Sequence, residues 1–319
     1  MGTLFIDRKD LHVKLDGNTI AFYINGKKEG SAPIAPLKRV IIVGNVTIEA
    51  NVLSRLASEN ISVIFLSGKN MHFCGMLHGS LHNNAIIRIR QYEKTKTDFP
   101  LEFAKALVKN KICSQKDFLT ELVNIRVDLK KELLDTINIL NDTLASIDCK
   151  DIDIDSLRGY EGGAASAYFN AYTKLFPPSL NFVKRTKRPP EDPVNAMLSL
   201  CYTILHYEMV REIEMNGLDP VVGFYHAFEY GRESLACDFV EPFRVKADRF
   251  VWELFRDRTF TDNDFTYEDE RHGCYLKKTG RAKFYPLCED WRSSFRGEIK
   301  DYVRNFIRSI CHEQDIISV

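Results

Sequence analysis

The spacing of apolar positions changes once along this chain, near residue 80. Before that point it runs in twos. LFID (4–7), LHVKL (11–15) and TIAFYI (19–24) alternate apolar and polar residues, the pattern of half-buried strands. Asp16, Gly17 and Asn18 predict a tight hairpin turn between the last two, and Asn25 with Gly26 predicts the next turn. RVIIVGNV (39–46) and ISVIFLS (61–67) are continuous apolar runs, which predict buried strands. Between them Ile48, Val52, Leu53, Leu56 and Ala57 form one helical stripe. MHFCGMLH (71–78) predicts a last strand.

After residue 80 the period becomes three to four. IIRIRQYEK (86–94) begins it, and LEFAKALVKNKICSQKDFLTELV (101–123) continues it to about residue 149, with no proline between Pro100 and Pro177. Ser156 is the expected cap of a helix that carries Glu161 near its start and is ended by Pro177 and Pro178. Pro193 opens the next helix and Gly217 ends it. Helix resumes to about Phe260, a polar acidic loop spans 261–273, and a last helix covers 293–313. The expected fold class is α+β in two domains: a small N-terminal β domain (1–82), a linker with a first helix (83–99), and a larger all-α domain (100–319).

Composition narrows the class. With 319 residues, 45% apolar and 28% charged, the chain has the make-up of an ordinary soluble protein. No apolar run approaches a membrane span, and MGTLFIDRKD lacks a signal-peptide pattern. The eight cysteines stand singly, without a CxxC pair, so reduced thiols and a cytoplasmic location are expected. Net charge is zero, which argues weakly against nucleic acid. Charge is nevertheless segregated locally: Lys184 to Arg188 is KRTKR, whereas Asp262 to Glu270 holds acids and no base.

The chemistry concentrates in GLDPVVGFYHAFEYGRESLACDFVEPFR, from Gly217 to Arg244. A turn at Gly217, Asp219 and Pro220 delivers a short apolar run ending in His226. Past Gly231, Asp238 and Glu241 are three residues apart, on one helix face, with Pro242 starting late or kinking that helix. An imidazole and two carboxylates from adjacent elements need one more anionic ligand for a divalent-metal site, and Glu161 in RGYEGGAASAYF is the candidate. Such a site activates a hydroxyl and stabilises charge on a phosphodiester. Taken singly, each residue has an ordinary explanation: a core histidine, a helix-start acid, a solvated face.

Four blocks together carry a resemblance: RGYEG around Glu161, RPPEDPVNAMLSL from Arg188 to Leu200, GLDPVVGFYH and LACDFVEPFR. In order and spacing they are similar to the CRISPR-associated adaptation integrase, the Cas-one family, and the likeness is densest from about 155 to 250. It implies that Glu161, His226 and Glu241 are metal ligands for Mg²⁺ or Mn²⁺. Position 241 is Glu where some relatives carry aspartate, which lengthens the reach by a methylene. Asp238 matches a further acidic position, supporting the ligands or substituting for one, and Asn195 lies in a shared block, as a helix-start hydrogen bond or in ordering the site.

The resemblance also implies a homodimer paired through the β domains, assembly with the small Cas-two protein, and double-stranded DNA as substrate. The implied activity is insertion of short DNA fragments into a CRISPR array by 3′-hydroxyl attack on a phosphodiester, with nuclease activity where water replaces the hydroxyl. Two alternatives stay open: a stand-alone metal-dependent nuclease of repair or a mobile element, and a non-catalytic DNA-binding scaffold. Beside such a metal, Lys184, Arg185, Lys187 and Arg188 become a candidate phosphate clamp. Arg244 is a candidate for the same role, though pairing with a carboxylate is commoner. Arg88, Arg90, Lys105 and Lys111 extend that surface or are simply exposed on helices. Tyr160 and Tyr172 stack on an unpaired base or pack in the core.

Two patterns are set aside. His72, His78 and His82 suggest zinc but fall across a predicted strand and turn. The acids of 261–270 lack the glycine and terminal Glu of a calcium loop, so a solvated loop is expected.

Overall fold

A computed structural model describes residues 2–68, 71, 73–79, 82, 84–148, 152–187, 189–268 and 273–311. The chain divides into two compact units, Met1–Asn83 with Lys283–Phe295, and Asn84–Ala282 with Arg296–Val319.

The first unit holds strands β1 (Thr3–Ile6), β2 (His12–Asp16), β3 (Thr19–Ile24), β4 (Lys27–Pro33), β5 (Arg39–Val43) and β6 (Thr47–Ile48), helix α1 (Ala50–Ser58), and strands β7 (Ser62–Leu66) and β8 (Phe73–Leu77). They form two sheets, ordered β1-β5-β7-β8 and β4-β3-β2-β6. β1, β5 and β7 run parallel, with α1 between β5 and β7 as the crossover that parallel strands require. β5 is buried at every position, which is why its sequence after Arg39 is an unbroken apolar run, Val40 to Val43. The turn from β3 to β4 is Asn25–Gly26, both at positive φ (49° and 80°), the backbone a two-residue hairpin needs. Val13, Ile20, Val40, Leu56 and Val63 lie in a common core.

Lys283–Phe295 groups with this unit rather than with the helical region to which the sequence assigned it. The reason is local: Tyr285 stacks on Phe5 with ring centroids 4.1 Å apart and donates to Asp7 at 2.7 Å, and Arg292 donates to Thr3 at 2.7 Å.

The second unit is mostly helical: α2 (Ala85–Lys94), α3 (Phe99–Ile125), α4 (Lys130–Ile147), α5 (Ile154–Thr173), α6 (Pro193–Met215), α7 (Ser234–Val240) and α8 (Arg244–Arg256), a hairpin of β9 (Phe265–Glu268) with β10 (Gly273–Leu276), and both ends of α9 (Lys278–Ile310), whose stretch Lys283–Phe295 groups with the first unit. N-terminal strands thus precede a mostly helical region, the expected α+β arrangement. α6 is buried around most of its circumference, from Val194 to Ile213, and is the central helix. α3 buries one stripe, including Ala104, Leu107, Val108, Lys111, Ile112 and Gln115.

Three local expectations are corrected. Asp153, not Ser156, caps α5; its carboxylate accepts the Ser156 backbone N–H at 2.7 Å, so Glu161 lies two turns into the helix. The acidic stretch after Phe260 is not simply a solvated loop. Thr261 and Asp264 form a reciprocal capping box, and Phe265 begins β9 with 2% of its surface exposed. The last helix starts at Lys278, well before 293, and runs through Pro286 because Phe284, Cys288, Phe295 and Ile299 sustain a buried stripe.

Candidate active site

Lys111 bridges two carboxylates. Its ammonium contacts Glu161 Oε1 and lies 2.6 Å from Glu241 Oε2. Glu161 comes from α5, Lys111 from α3, and Glu241 from a single 3-10 turn (Glu241–Phe243) between α7 and α8. Pro242 lies within that turn, so the chain breaks between the two helices and Glu241 is carried on the corner. His226 completes the group, its Nε2 3.9 Å from Glu241 Oε1. The structure therefore places Glu161 and Glu241 on one cation, the Lys111 ammonium, with His226 beside Glu241.

His226 is held by Asp238. The Asp238 carboxylate is fully buried and takes four N–H groups. Oδ2 accepts from the backbone of Phe224 (2.7 Å) and Tyr225 (3.1 Å), and Oδ1 from the backbone N–H (2.9 Å) and ring Nδ1 (2.7 Å) of His226. An acceptor at Nδ1 places a ring proton there, which leaves Nε2 as the nitrogen that can ligate an ion. Gly223 permits the close approach: a Cβ there would meet Asp238 Oδ2 at 2.7 Å and the Leu235 backbone nitrogen at 2.9 Å. Phe224, Phe103, Phe239 and Phe306 pack against one another beneath this loop and fix it to α7.

The other end of the loop is clamped by α2. Gln91 is fully buried; its amide donates to Asp219 O (2.9 Å) and Val222 O (2.7 Å) and accepts from Asp219 N–H (2.8 Å). Tyr92 adds a hydrogen bond to the Asp219 side chain at 2.7 Å.

The site is strongly charged. Burial would raise the Glu241 carboxyl, but the Arg244 guanidinium and the Lys111 ammonium overcome it and hold it at about 2. Burial likewise works against the Lys111 charge, and Glu241 and Glu161 outweigh it, so the ammonium is held above its ordinary value. Tyr225 donates to Glu161 Oε2 at 2.9 Å; burial, then the Glu161 charge, push its phenol well up, so it stays a donor. Glu161 and His226 keep 21% and 19% of their side-chain surface exposed against 4% for Glu241, so the cluster opens to solvent on their side.

Arg244 donates to Glu241 Oε1 at 2.8 Å and lies 4.8 Å from the Tyr202 ring centroid, so it serves the carboxylate here. Arg185 faces the same ring at 5.4 Å and donates to Asn195 Oδ1 (2.8 Å) and Ser199 (3.1 Å), so its charge is spent within the fold. Lys184 and Lys187 are exposed, whereas Arg188 and His72 lie outside the described residues. Asn195 ties the basic loop to α6. It accepts from Thr186 N–H (2.9 Å) and donates to Lys184 O (2.8 Å) and Asp192 Oδ2 (2.5 Å). Arg90 pairs with Glu93 at 3.0 Å, and Tyr172 is a core residue bonded to Asp248 O at 2.8 Å.

Lys111, Tyr225 and Gln91 escaped sequence reasoning as parts of this cluster. Lys111 did leave a signal, being the one lysine within the apolar stripe of α3. A buried polar group behind the site also escaped: Asp248 accepts from the hydroxyls of Tyr168 (2.9 Å) and Tyr202.

Among the described residues no three His, Cys, Asp or Glu side chains enclose an ion as they stand. The donors nonetheless fit a hard divalent cation. A cation, the Lys111 ammonium, already sits on both carboxylates, and the His226 imidazole lies beside one of them, so the cluster supplies the oxygen and nitrogen donors such an ion takes.

Residues 4–290 match the family model for CRISPR associated protein Cas1. The chain is 56% identical, over all of both chains, to the CRISPR-associated endonuclease Cas1 1 of Thermodesulfovibrio yellowstonii. Its fold is similar to that of the Thermotoga maritima CAS1 protein TM1797, with a TM-score of 0.82 at 21% identity over 98% of each chain. A casposase bound to integration product gives 0.79 at 20% identity, over 97% of this chain and 91% of that one. A chain of a Cas6-RT-Cas1–Cas2 complex gives 0.77 at 21% identity, over 97% of this chain and 34% of that one. At those identities the structural likeness is one of fold, whereas the sequence match runs from end to end. The chain belongs to the Cas1 family of CRISPR-associated endonucleases.

Proposed function

We propose that this protein is a metal-dependent DNA integrase and endonuclease of CRISPR adaptation, and that Glu161, His226 and Glu241 hold its divalent ion, Mg²⁺ or Mn²⁺. The observation that carries the reading is that Glu161 and Glu241 share one cation while His226 lies beside Glu241, in a chain of the Cas1 family. When bound, the ion supplies Lewis-acid stabilisation of charge on a phosphodiester oxygen. The chain's own groups do the rest. Asp238 fixes the His226 tautomer, Tyr225 and Arg244 orient the two carboxylates, and Lys184 and Lys187, with Arg188, meet DNA phosphates. In strand transfer, a 3′-hydroxyl oxygen bonds to phosphorus as the bond to the leaving 3′-oxygen breaks, and the hydroxyl proton passes to that oxygen by way of solvent. In cleavage, water replaces the hydroxyl.

The substrate is double-stranded DNA, as incoming fragment and as CRISPR repeat. A homodimer paired through the N-terminal strand units and a small Cas2 partner complete the assembly; a Cas1–Cas2 complex is among the proteins of similar fold. No helix among the described residues is long and apolar enough to cross a membrane, and a cytoplasmic site of action suits reduced cysteines.

The test is strand transfer by purified protein, with and without its Cas2 partner, in Mg²⁺ and in Mn²⁺. Glu161→Gln and His226→Ala are each expected to lower it at least about a hundredfold while DNA binding and the melting temperature stay near wild type. Wild-type activity in either variant refutes the site.

A further inference from the structure

In this structure Lys111 does what a divalent ion does in such a site. It reaches from the buried stripe of α3, with 9% of its surface exposed, and lays one positive charge across both carboxylates. An ion pair this buried is weak evidence for stability, and the neighbouring positions Leu107, Val108 and Ile112 are all apolar. Glu241 has a second cation in Arg244, at 2.8 Å; for Glu161 the structure gives Lys111 as the cation, with the Tyr225 hydroxyl on its other oxygen. A lysine bridging the two carboxylates therefore neutralises the site as a whole.

Two cations cannot share that place. A divalent ion and an ammonium a few ångströms apart in a half-buried site repel by several kcal/mol, even at an effective dielectric of ~20. We propose that Lys111 is the resident counter-cation of the site, and that a divalent ion binds by displacing it from Glu161 and Glu241. This rests on the metal reading above. The four-carbon stem lets the ammonium swing aside without a change in α3. The metal-free protein thus keeps its carboxylates neutralised, and metal affinity is set by the difference between two cations.

A merely structural lysine and a competing one make opposite predictions. Losing a structural lysine lowers stability and metal binding together. Losing a competitor lowers metal-free stability but tightens metal binding. The experiment is Mn²⁺ binding by titration calorimetry on the full chain, wild type against Lys111→Met, with melting curves in chelator and in Mn²⁺. Lys111→Met is expected to melt lower in chelator, to gain more from Mn²⁺, and to bind Mn²⁺ at least about tenfold more tightly. Lys111→Arg keeps the charge and is expected to bind no tighter than wild type. Should Lys111→Met fail to fold, Lys111→Gln supplies the same neutral comparison. Equal or weaker Mn²⁺ binding by the neutral variant overturns the inference and leaves the metal reading standing. Absence of Mn²⁺ binding in both wild type and variant brings down the metal reading, and this inference with it.

Discussion

His226 and Asp238 are joined twice: Asp238 Oδ1 accepts both the ring Nδ1–H of His226 at 2.7 Å and its backbone N–H at 2.9 Å. One oxygen therefore sets the position of the residue and the tautomer of its ring. The other oxygen holds the backbone just before it, at Phe224 and Tyr225.

Asp238→Asn keeps the shape and replaces one acceptor oxygen by a donor that faces N–H groups. Destabilisation of at least about 2 kcal/mol is expected from the buried donors left without acceptors. A fall of about 10- to 100-fold in metal-dependent cleavage is expected as well, because the His226 ring loses its orienter. Denaturant melts and cleavage rates measure the two. A variant with full stability and full activity contradicts the role given to Asp238.

Asp248 makes stability depend on pH in a definite direction. Burial pushes its carboxyl up to about 6, although the Tyr202 and Tyr168 hydroxyls and the Arg244 and Arg185 guanidiniums pull it down. The unfolded value is 3.8, so between about pH 4 and 6 the folded protein binds the extra proton. This contribution to stability is present below pH 4 and is lost as pH rises through 6, by about 3 kcal/mol in all. Unfolding free energies from pH 4 to 7 for wild type and Asp248→Asn check it. The difference between the two proteins is expected to move across that window, and parallel curves contradict it.

The basic run divides into two kinds of residue. Lys184→Ala with Lys187→Ala removes exposed charge, and DNA binding is expected to weaken, with a salt slope shallower by roughly 0.9 for each phosphate that is no longer neutralised. Arg185→Ala removes hydrogen bonds to Asn195 and Ser199, and its main expected effect is a lower melting temperature. Filter binding from about 50 to 300 mM salt, run beside thermal melts, separates them; an unchanged slope in the double variant counts against the clamp.

What the sequence made legible follows from how each feature is encoded. β5 and β7 are buried runs and β2 and β3 alternate, so their patterns announce them. β4, KKEGSAP, is an exposed edge strand whose polar side chains leave no alternation to find. Glu161, His226 and Glu241 stand out because glycine and proline punctuate the segments around them; in the structure Glu161 and Glu241 share the Lys111 ammonium and His226 lies beside Glu241. Lys111 was legible only as a charge on a long helix, and exposure is the usual state of such a lysine. Its burial depends on α5 and the Glu241 turn packing over α3, which is tertiary information. The same holds for Tyr168, Tyr202 and Asp248, which sit on three separate helices and meet only when α5, α6 and α8 pack.

The most direct measurement is the anomalous scattering of Mn²⁺ in crystals of the full chain grown with the metal. One peak is expected within about 2–2.5 Å of carboxylate oxygens of Glu161 and Glu241 and of His226 Nε2, with the Lys111 ammonium moved away from both carboxylates. A manganese peak elsewhere, with Lys111 still bridging Glu161 and Glu241, contradicts the account.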